Sequence, residues 1–370
     1  MLTPQENERY VRQMVLPEVG PAGQERLGAA SVLVVGVGAL GSASSIYLAA
    51  AGVGRIGLVD ADRVERSNLH RQIVHGESSV GRSKLASALA RLAETNPQVK
   101  LEPHDCYLNA ANARAIAASY DLIIDGADNF PARFLCNDLG YFLRKPVVHA
   151  SVLRFAGQVA VFAPHQDGPC YRCLLPAPPA PGAVPSCAEA GVLGAMAGVM
   201  GSLQALEALK WILGVGESLT GRMVHFDGLR GRWREFRLRR DPSCPLCGPN
   251  PRVTRLVDEE EACGIATVEE IDAALLRDLL ASGWNGLLVD VREPSEHAAG
   301  SIPGAALHPL GSLPEAIPAL MTEIPPDREI ILHCQSGRRS LLAARQFQEA
   351  GFTRVRHLRG GYLAWKRAGG

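Results

Sequence analysis

Short apolar runs alternate with stretches of helical character along most of this chain, the pattern of a parallel sheet joined by crossover helices. Ser31-Val-Leu-Val-Val35 reads as a buried strand, and after a Gly-rich turn residues 42–51 have the small, apolar character of a helix packed closely on a sheet. Gly57-Leu-Val59 predicts a second strand ending at Asp60, and 120–125, 146–150 and 158–162 predict further ones. The most apolar stretch, 191–213, is interrupted by Gln204, Glu207 and Lys210, so it predicts a buried helix rather than a bilayer span. Farther on, 286–290 and 329–333 read as strands, and 341–350 reads as a helix. No internal repeat is present.

Two stretches break this rhythm. Residues 176–185, PAPPAPGAVP, carry five prolines in ten positions and predict an exposed, semi-extended loop. Prolines and the acidic run 258–261 predict a linker. The expected organisation is an α/β domain over 1–248, a linker over 249–266 and a smaller α/β domain over 267–370. A length of 370 residues suits two domains at about 100–200 residues each. With 47% apolar and 21% charged residues, and 38 Lys plus Arg against 38 Asp plus Glu, a disordered chain and a polybasic nucleic-acid coat are both disfavoured. The start, MLTPQENERYVRQ, is polar from its third residue, so no secretory signal is expected and a cytoplasmic location is. Nine Cys then favour metal binding or thiol chemistry over a disulfide framework.

Gly36-Val-Gly38-Ala39-Leu-Gly41 fits G-x-G-x-x-G between a strand and a helix, where backbone N–H groups and the helix N-terminus can meet phosphate oxygens. Asp60, at the end of the next strand, can accept from ribose hydroxyls. Those features alone suit an NAD-dependent oxidoreductase. The polar residues beyond them suit a triphosphate better: Asp60 and Asp62, then Ser67, Asn68, Leu69, His70, Arg71 and Gln72, then Lys84, then Asp128 and Asn129 place cations and carboxylates at the strand ends of one sheet. Arg71 and Lys84 would neutralise charge as pyrophosphate leaves, and Asp128 would hold Mg2+.

Cys170-Tyr-Arg-Cys173 and Cys244-Pro-Leu-Cys247 are paired C-x-x-C knuckles, and four thiolates from two such turns suit tetrahedral Zn2+ better than a redox pair does. Cys187 follows the proline-rich loop, where a thiol can travel to an activated carbonyl; packing is its alternative reading. Cys106 and Cys136 read as packing residues. In the second domain His333-Cys334-Gln335-Ser336-Gly337-Arg338-Arg339 lies between a strand and a helix. Its backbone N–H groups, with Arg338 or Arg339, would activate the Cys334 thiol and cradle an anion.

Arg9-Tyr-Val-Arg12-Gln, GVGALG, LVDADRVERSNLHRQ, Gly81-Arg-Ser-Lys84 and DGADN resemble the adenylyltransferases that activate ubiquitin-like sulfur carriers in molybdenum-cofactor and thiamin biosynthesis. The resemblance covers nearly all of 1–248 and implies a Rossmann-like adenylation domain with ATP and Mg2+, a structural four-cysteine Zn2+ site and a homodimer in which Arg12 reaches the partner's ATP site. It also implies that Cys187 matches the cysteine of the family's crossover loop. One departure is Ala39, where the family often has a second Gly. The remainder resembles a rhodanese domain through Leu288-Val-Asp290-Val-Arg292-Glu-Pro, HAAGSIPGA and Leu358-Arg-Gly-Gly-Tyr-Leu-Ala-Trp365. The six-residue loop from Cys334 to Arg339 matches the sulfur-transferring form rather than a phosphatase. Together these imply a carrier ending in Gly-Gly and a sulfur donor, either thiosulfate or a cysteine desulfurase persulfide. Molybdopterin synthesis and tRNA thiolation are the expected uses, with no membrane and no direct nucleic-acid contact. A non-catalytic docking scaffold is the remaining alternative.

Overall fold

A computed structural model describes residues 2–179, 190–258 and 268–369, the Arg338 side chain apart. The chain divides into two compact units, Met1–Glu259 and Glu260–Gly370.

The first unit is built on an eight-stranded sheet in the order β3-β2-β1-β4-β5-β6-β7-β8. Its strands are β1 (Ser31–Val35), β2 (Arg55–Val59), β3 (Lys100–His104), β4 (Leu122–Asp125), β5 (Val147–Leu153), β6 (Ala156–Phe162), β7 (Arg222–Asp227) and β8 (Arg232–Arg237). Side chains alternate across a strand, so β1 sends Val32 and Val34 into the core on one face and Leu33 and Val35 into the core on the other. Burial on both faces is why this strand reads as an unbroken apolar run. Helices Ala39–Ala50 and Gly194–Leu213 cover the first face through Leu40, Leu48, Ala197 and Met200. Helix Phe130–Leu143 covers the second through Phe134, Leu135 and Leu139.

The α/β class holds, but the sheet is mixed. β3, β2, β1, β4 and β5 run parallel, whereas β5 to β8 pair antiparallel. Only Arg154 and Phe155 separate β5 from β6, and so short a link cannot make a crossover. β3, β7 and β8 have no counterpart in the sequence reading, because their polar residues face solvent or sit half-buried at the sheet's margins. Helix Ala39–Ala50 also starts earlier than 42, directly on the Gly-rich turn. The stretch assigned to a linker from 249 stays with the first unit: Leu256 packs on its core, and Asp258 accepts from the Ala110 N–H at 2.9 Å.

The second unit has a five-stranded, wholly parallel sheet in the order β11-β10-β12-β13-β9. Its strands are β9 (Glu269–Ile271), β10 (Leu287–Asp290), β11 (Ala306–Leu307), β12 (Ile330–His333) and β13 (Val355–Leu358). Asp290 and His333 are register partners at the carboxyl ends of neighbouring strands, and Cys334 comes directly after. Among the described residues, no helix is long and apolar enough to cross a membrane.

Candidate functional sites

In the first unit the strand order reverses at β1, and the turn after it lies at that switch point, where open α/β sheets bind ligands. Gly36 has φ +86°, and Gly38 caps helix Ala39–Ala50. A methyl at Gly41 would overlap the Gly36 carbonyl oxygen, so the turn can close only on glycine. Asp60 braces the turn, accepting from the Val37 N–H at 2.8 Å and the Asp62 N–H at 2.9 Å. His75 Nε2 lies 3.2 Å from the Val37 carbonyl, and burial holds this imidazole below its usual range. Gln72 is buried, and its Nε2 lies 3.8 Å from where a side chain on Gly38 would begin. Its Oε1 has no hydrogen-bond partner among the described residues. A buried polar group beside an open glycine turn fits a phosphate-bearing ligand.

The cations sit differently from the sequence expectation. Lys84 donates to Asp62 at 2.9 Å, and Tyr107 Oη donates to the same carboxylate at 2.6 Å. Arg71 Nη1 lies 2.9 Å from the Ser67 carbonyl oxygen and 2.8 Å from His70 Nε2. Asn68 is a buried brace whose Oδ1 accepts from the Glu65 N–H at 3.1 Å, while Ser67 and His70 are exposed and Leu69 half-buried. Asp128 is exposed beyond β4 and accepts from Asn129 Nδ2 at 3.2 Å, and Asn129 caps the next helix through the Ala132 N–H at 3.0 Å. This turn is anchored below by Asp125, whose carboxylate meets His149 Nδ1 at 2.7 Å and the Ala127 N–H at 3.1 Å. Ala39 packs on the core at the helix start. Arg12 is exposed in the last turn of helix Pro4–Met14.

The four knuckle cysteines converge although 70 residues of chain separate the two knuckles. Their Sγ atoms all lie within 4.8 Å of one another, with Cys170–Cys244 at 3.5 Å, Cys173–Cys247 at 3.4 Å and Cys170–Cys173 at 3.9 Å. Tetrahedral Zn2+ with bonds of about 2.3 Å wants sulfurs roughly 3.8 Å apart, so the set fits. The first knuckle is tied to helix Phe130–Leu143: the Tyr171 N–H donates to Asn137 Oδ1, and Arg172 forks onto Asp138 at 2.8 and 2.7 Å. Cys136 is wholly buried and Cys106 packs at the core margin, and burial pushes both thiols up. Cys187 lies outside the described residues, as does Cys263.

In the second unit Cys334 is buried, and its Sγ accepts the Gly337 N–H at 3.1 Å. Gly337 has φ +97° and opens helix Arg338–Glu349. Arg339 does not point a free charge at the thiol: its guanidinium forks onto Glu296 at 2.7 and 2.7 Å. Hydrogen bonding to Glu296 holds Arg339 above its usual range and Glu296 below its own. Beneath the loop Asp290 receives both Nε and Nη2 of Arg292, with the shortest bond at 2.7 Å, and His297 Nδ1 lies 2.9 Å away. Arg292 Nη1 also donates to Gln335 Oε1 at 3.2 Å. Ser336 is exposed. His333, wholly buried without a hydrogen bond among the described residues, is pushed down to about 4 by burial and is neutral at pH 7.

A family model described as the ThiF family matches residues 10–246. The chain belongs to the ThiF family. A second model, the rhodanese-like domain, matches residues 272–368. Among similar curated proteins, the probable adenylyltransferase/sulfurtransferase MoeZ of Mycobacterium tuberculosis is 42% identical over 99% of this chain and 94% of its own length. The sulfur carrier protein adenylyltransferase of Thermus thermophilus is 52% identical over 71% of this chain and 98% of its own. Adenylyltransferase and sulfurtransferase MOCS3 of Anopheles gambiae is 40% identical over 97% of this chain and 86% of its own. Among solved structures, E. coli MccB has the same fold at a TM-score of 0.59 and 21% identity, covering 65% of this chain and 74% of that one.

The ThiF-family unit thus brings the Gly-rich turn, Asp60, Asp62, Gln72 and Lys84 together at one sheet edge, with the Asp128 turn beside them. Sequence reasoning missed Tyr107, His75 and the Asp125–His149 pair: Tyr107 and His149 lie outside the motifs, His75 lies just past Gln72, and Asp125 opens DGADN but meets a partner 24 residues on. In the rhodanese-like domain it missed Glu296 as the partner of Arg339; the only local signal is the capping box from Glu293 to Glu296 that starts helix Pro294–Ala298.

Proposed function

We propose that this chain uses ATP to adenylate the C-terminal glycine of a ubiquitin-like sulfur carrier ending in Gly-Gly, then converts that carboxylate into a thiocarboxylate with sulfur carried on Cys334. One observation carries the reading: a single chain joins a glycine turn at a sheet switch point to a thiol held in a six-residue loop. Backbone N–H groups of 36–41 and the helix start hold phosphate oxygens, and Asp60 keeps the turn closed while its remaining lone pairs accept ribose hydroxyls. Lys84 and Arg71 offset the charge that builds on departing pyrophosphate, which requires Lys84 to share its charge between Asp62 and substrate. Asp128 would hold Mg2+, which would supply charge stabilisation at the phosphates. Cys170, Cys173, Cys244 and Cys247 would hold Zn2+, which would clip the two knuckles together in a structural role.

The carrier carboxylate attacks the α-phosphorus, and the bond to pyrophosphate breaks. In the second unit the Cys334 thiolate takes a sulfane sulfur from thiosulfate or a desulfurase persulfide, releasing sulfite or the donor's thiol. The terminal sulfur of that persulfide attacks the acyl-adenylate carbonyl, and AMP leaves with the electron pair of the broken C–O bond. A Cys187 thiolate then attacks Cys334 Sγ, expelling the thiocarboxylate and leaving a disulfide that a small-molecule thiol reduces. The working form is a cytoplasmic homodimer in which Arg12 serves the neighbouring copy's nucleotide, and molybdopterin synthesis and tRNA thiolation are its uses.

Carrier-dependent exchange of labelled pyrophosphate into ATP tests the first step. Mass spectrometry of the carrier after incubation with ATP and thiosulfate tests the second, with one oxygen replaced by sulfur expected at the terminus. No exchange with any Gly-Gly-ended carrier, together with tight NAD binding, would move the assignment to an oxidoreductase.

A further inference from the structure

Gly360-Gly361-Tyr362-Leu363, the N-cap and first turn of helix Gly361–Arg367 after β13, lies more than twenty residues beyond the sulfur loop, yet it holds the loop's backbone. The Tyr362 N–H donates to the Cys334 carbonyl at 2.7 Å, and the Leu363 N–H donates to the Gln335 carbonyl at 3.1 Å. Gly361 has φ +59°, and a methyl there would overlap the Cys334 carbonyl oxygen and stand 2.7 Å from the Gln335 carbonyl carbon. The Tyr362 ring lies under the Arg292 guanidinium at 4.3 Å, and Arg292 in turn holds the Gln335 side chain. Gln335 is therefore gripped at its carbonyl and at its side chain from this one side.

In a trans peptide the C=O of one residue and the N–H of the next point in opposite directions. Pinning the Cys334 and Gln335 carbonyls onto the turn therefore aims the Gln335 and Ser336 N–H groups away from it, into the loop. There the Gly337 N–H already meets Cys334 Sγ. With Arg339 engaged by Glu296, those amides are aimed to stabilise a sulfur anion in this loop.

We propose that the 360–363 turn is a positioning element for sulfur transfer, and that Gly361 is the residue whose lack of a side chain lets it seat against the Cys334 peptide. This rests on the reading of Cys334 as the sulfur carrier. The test compares Gly361→Ala with Gly283→Ala in the full-length chain. Gly283 has φ +77° in the same unit but nothing within 4 Å of its would-be side chain, so it carries the same backbone strain without touching the loop. Two readouts are monitored: thiosulfate-to-cyanide sulfur transfer, and the pH dependence of Cys334 alkylation resolved by peptide mass spectrometry.

Gly361→Ala should lower kcat for sulfur transfer roughly tenfold or more, slow Cys334 alkylation at neutral pH by a similar factor and move its profile to higher pH. Gly283→Ala should leave both readouts near wild type at a comparable unfolding midpoint, and pyrophosphate exchange should be unchanged in each. Equal transfer and equal alkylation in the two variants would overturn the proposal. If Gly361→Ala fails to fold, Leu363→Pro carries the test, because it removes the one N–H that grips Gln335 at a first-turn position where a helix tolerates proline. A several-fold fall in both readouts is then expected, and wild-type values would overturn the role. A wild-type chain that transfers no sulfur would instead refute the sulfur-carrier reading, while the alkylation comparison still decides the turn's role.

Discussion

The two sites solve opposite problems. The proposed nucleotide site gathers short segments from across some hundred residues, 36–41, 60–62, 67–72, 84 and 128–129, at the carboxyl ends of one sheet, and its charges are already partnered, Lys84 with Asp62 and Arg71 with neighbouring oxygen and nitrogen atoms. The proposed sulfur site is one contiguous loop around one atom, with Arg339 drawn onto Glu296. A distributed site should lose function by degrees as members are removed. A site focused on one nucleophile should lose everything at that atom and much less around it.

The largest effect expected is Cys334→Ala, which removes the proposed sulfur-bearing atom and should reduce thiocarboxylate formation by about a thousandfold or more while carrier-dependent pyrophosphate exchange stays near wild type. Equal thioacid yields from the variant and wild type would break the contrast. Asp128→Ala should cut exchange by about a hundredfold to a thousandfold, with carrier binding by calorimetry retained. Loss of carrier binding alongside exchange would mark Asp128 as structural.

A third change probes the support of the first site. Arg172→Met leaves the Asp138 carboxylate, 1% exposed, without its guanidinium, and breaking a buried pair costs about 3–5 kcal/mol. Denaturant unfolding should show the loss in the first unit, and chelation of bound metal should lower stability in the same unit. The smallest effect separates the units by pH. Burial alone would raise Asp290, but hydrogen bonds from Arg292, the charge that His333 takes on once protonated below about pH 4, and the His297 hydrogen bond outweigh it and hold the carboxyl at about 2, below its ordinary 3.8. A depressed carboxylate stabilises the fold above its unfolded value and loses that contribution as pH falls through the folded one. The second unit should therefore give up about 2 kcal/mol between roughly pH 4 and pH 2, read from its own unfolding transition. Asp290→Asn should remove that dependence.

The features legible in the chain are those whose chemistry sits within a few residues. GVGALG, the paired C-x-x-C knuckles and HCQSGRRS each place their functional groups on one turn, and strands buried on both faces, such as β1, β4 and β12, announce themselves as apolar runs. β8 could not be read this way, because all six of its residues are exposed at the sheet's last position. Nor could the antiparallel half of the sheet, which is set by the length of one connection rather than by any strand's composition. Arg339 illustrates the limit best: beside Cys334 it reads as a cation for the thiol, and only the fold brings Glu296, 43 residues away, into bidentate reach.

Local backbone rules and burial patterns were thus enough, from the amino-acid order alone, to determine the α/β class, the glycine turn that can face a phosphate, the cysteines able to meet on a metal and the thiol at a strand end. Which charges are free to act was settled only in three dimensions. Lys84 meets Asp62, Arg172 meets Asp138, and Arg292 grips Gln335 across chain separations that no local pattern encodes. The physical reason is range: backbone conformation is decided by neighbours in sequence, whereas a side-chain charge takes whichever partner packing brings within about 3 Å.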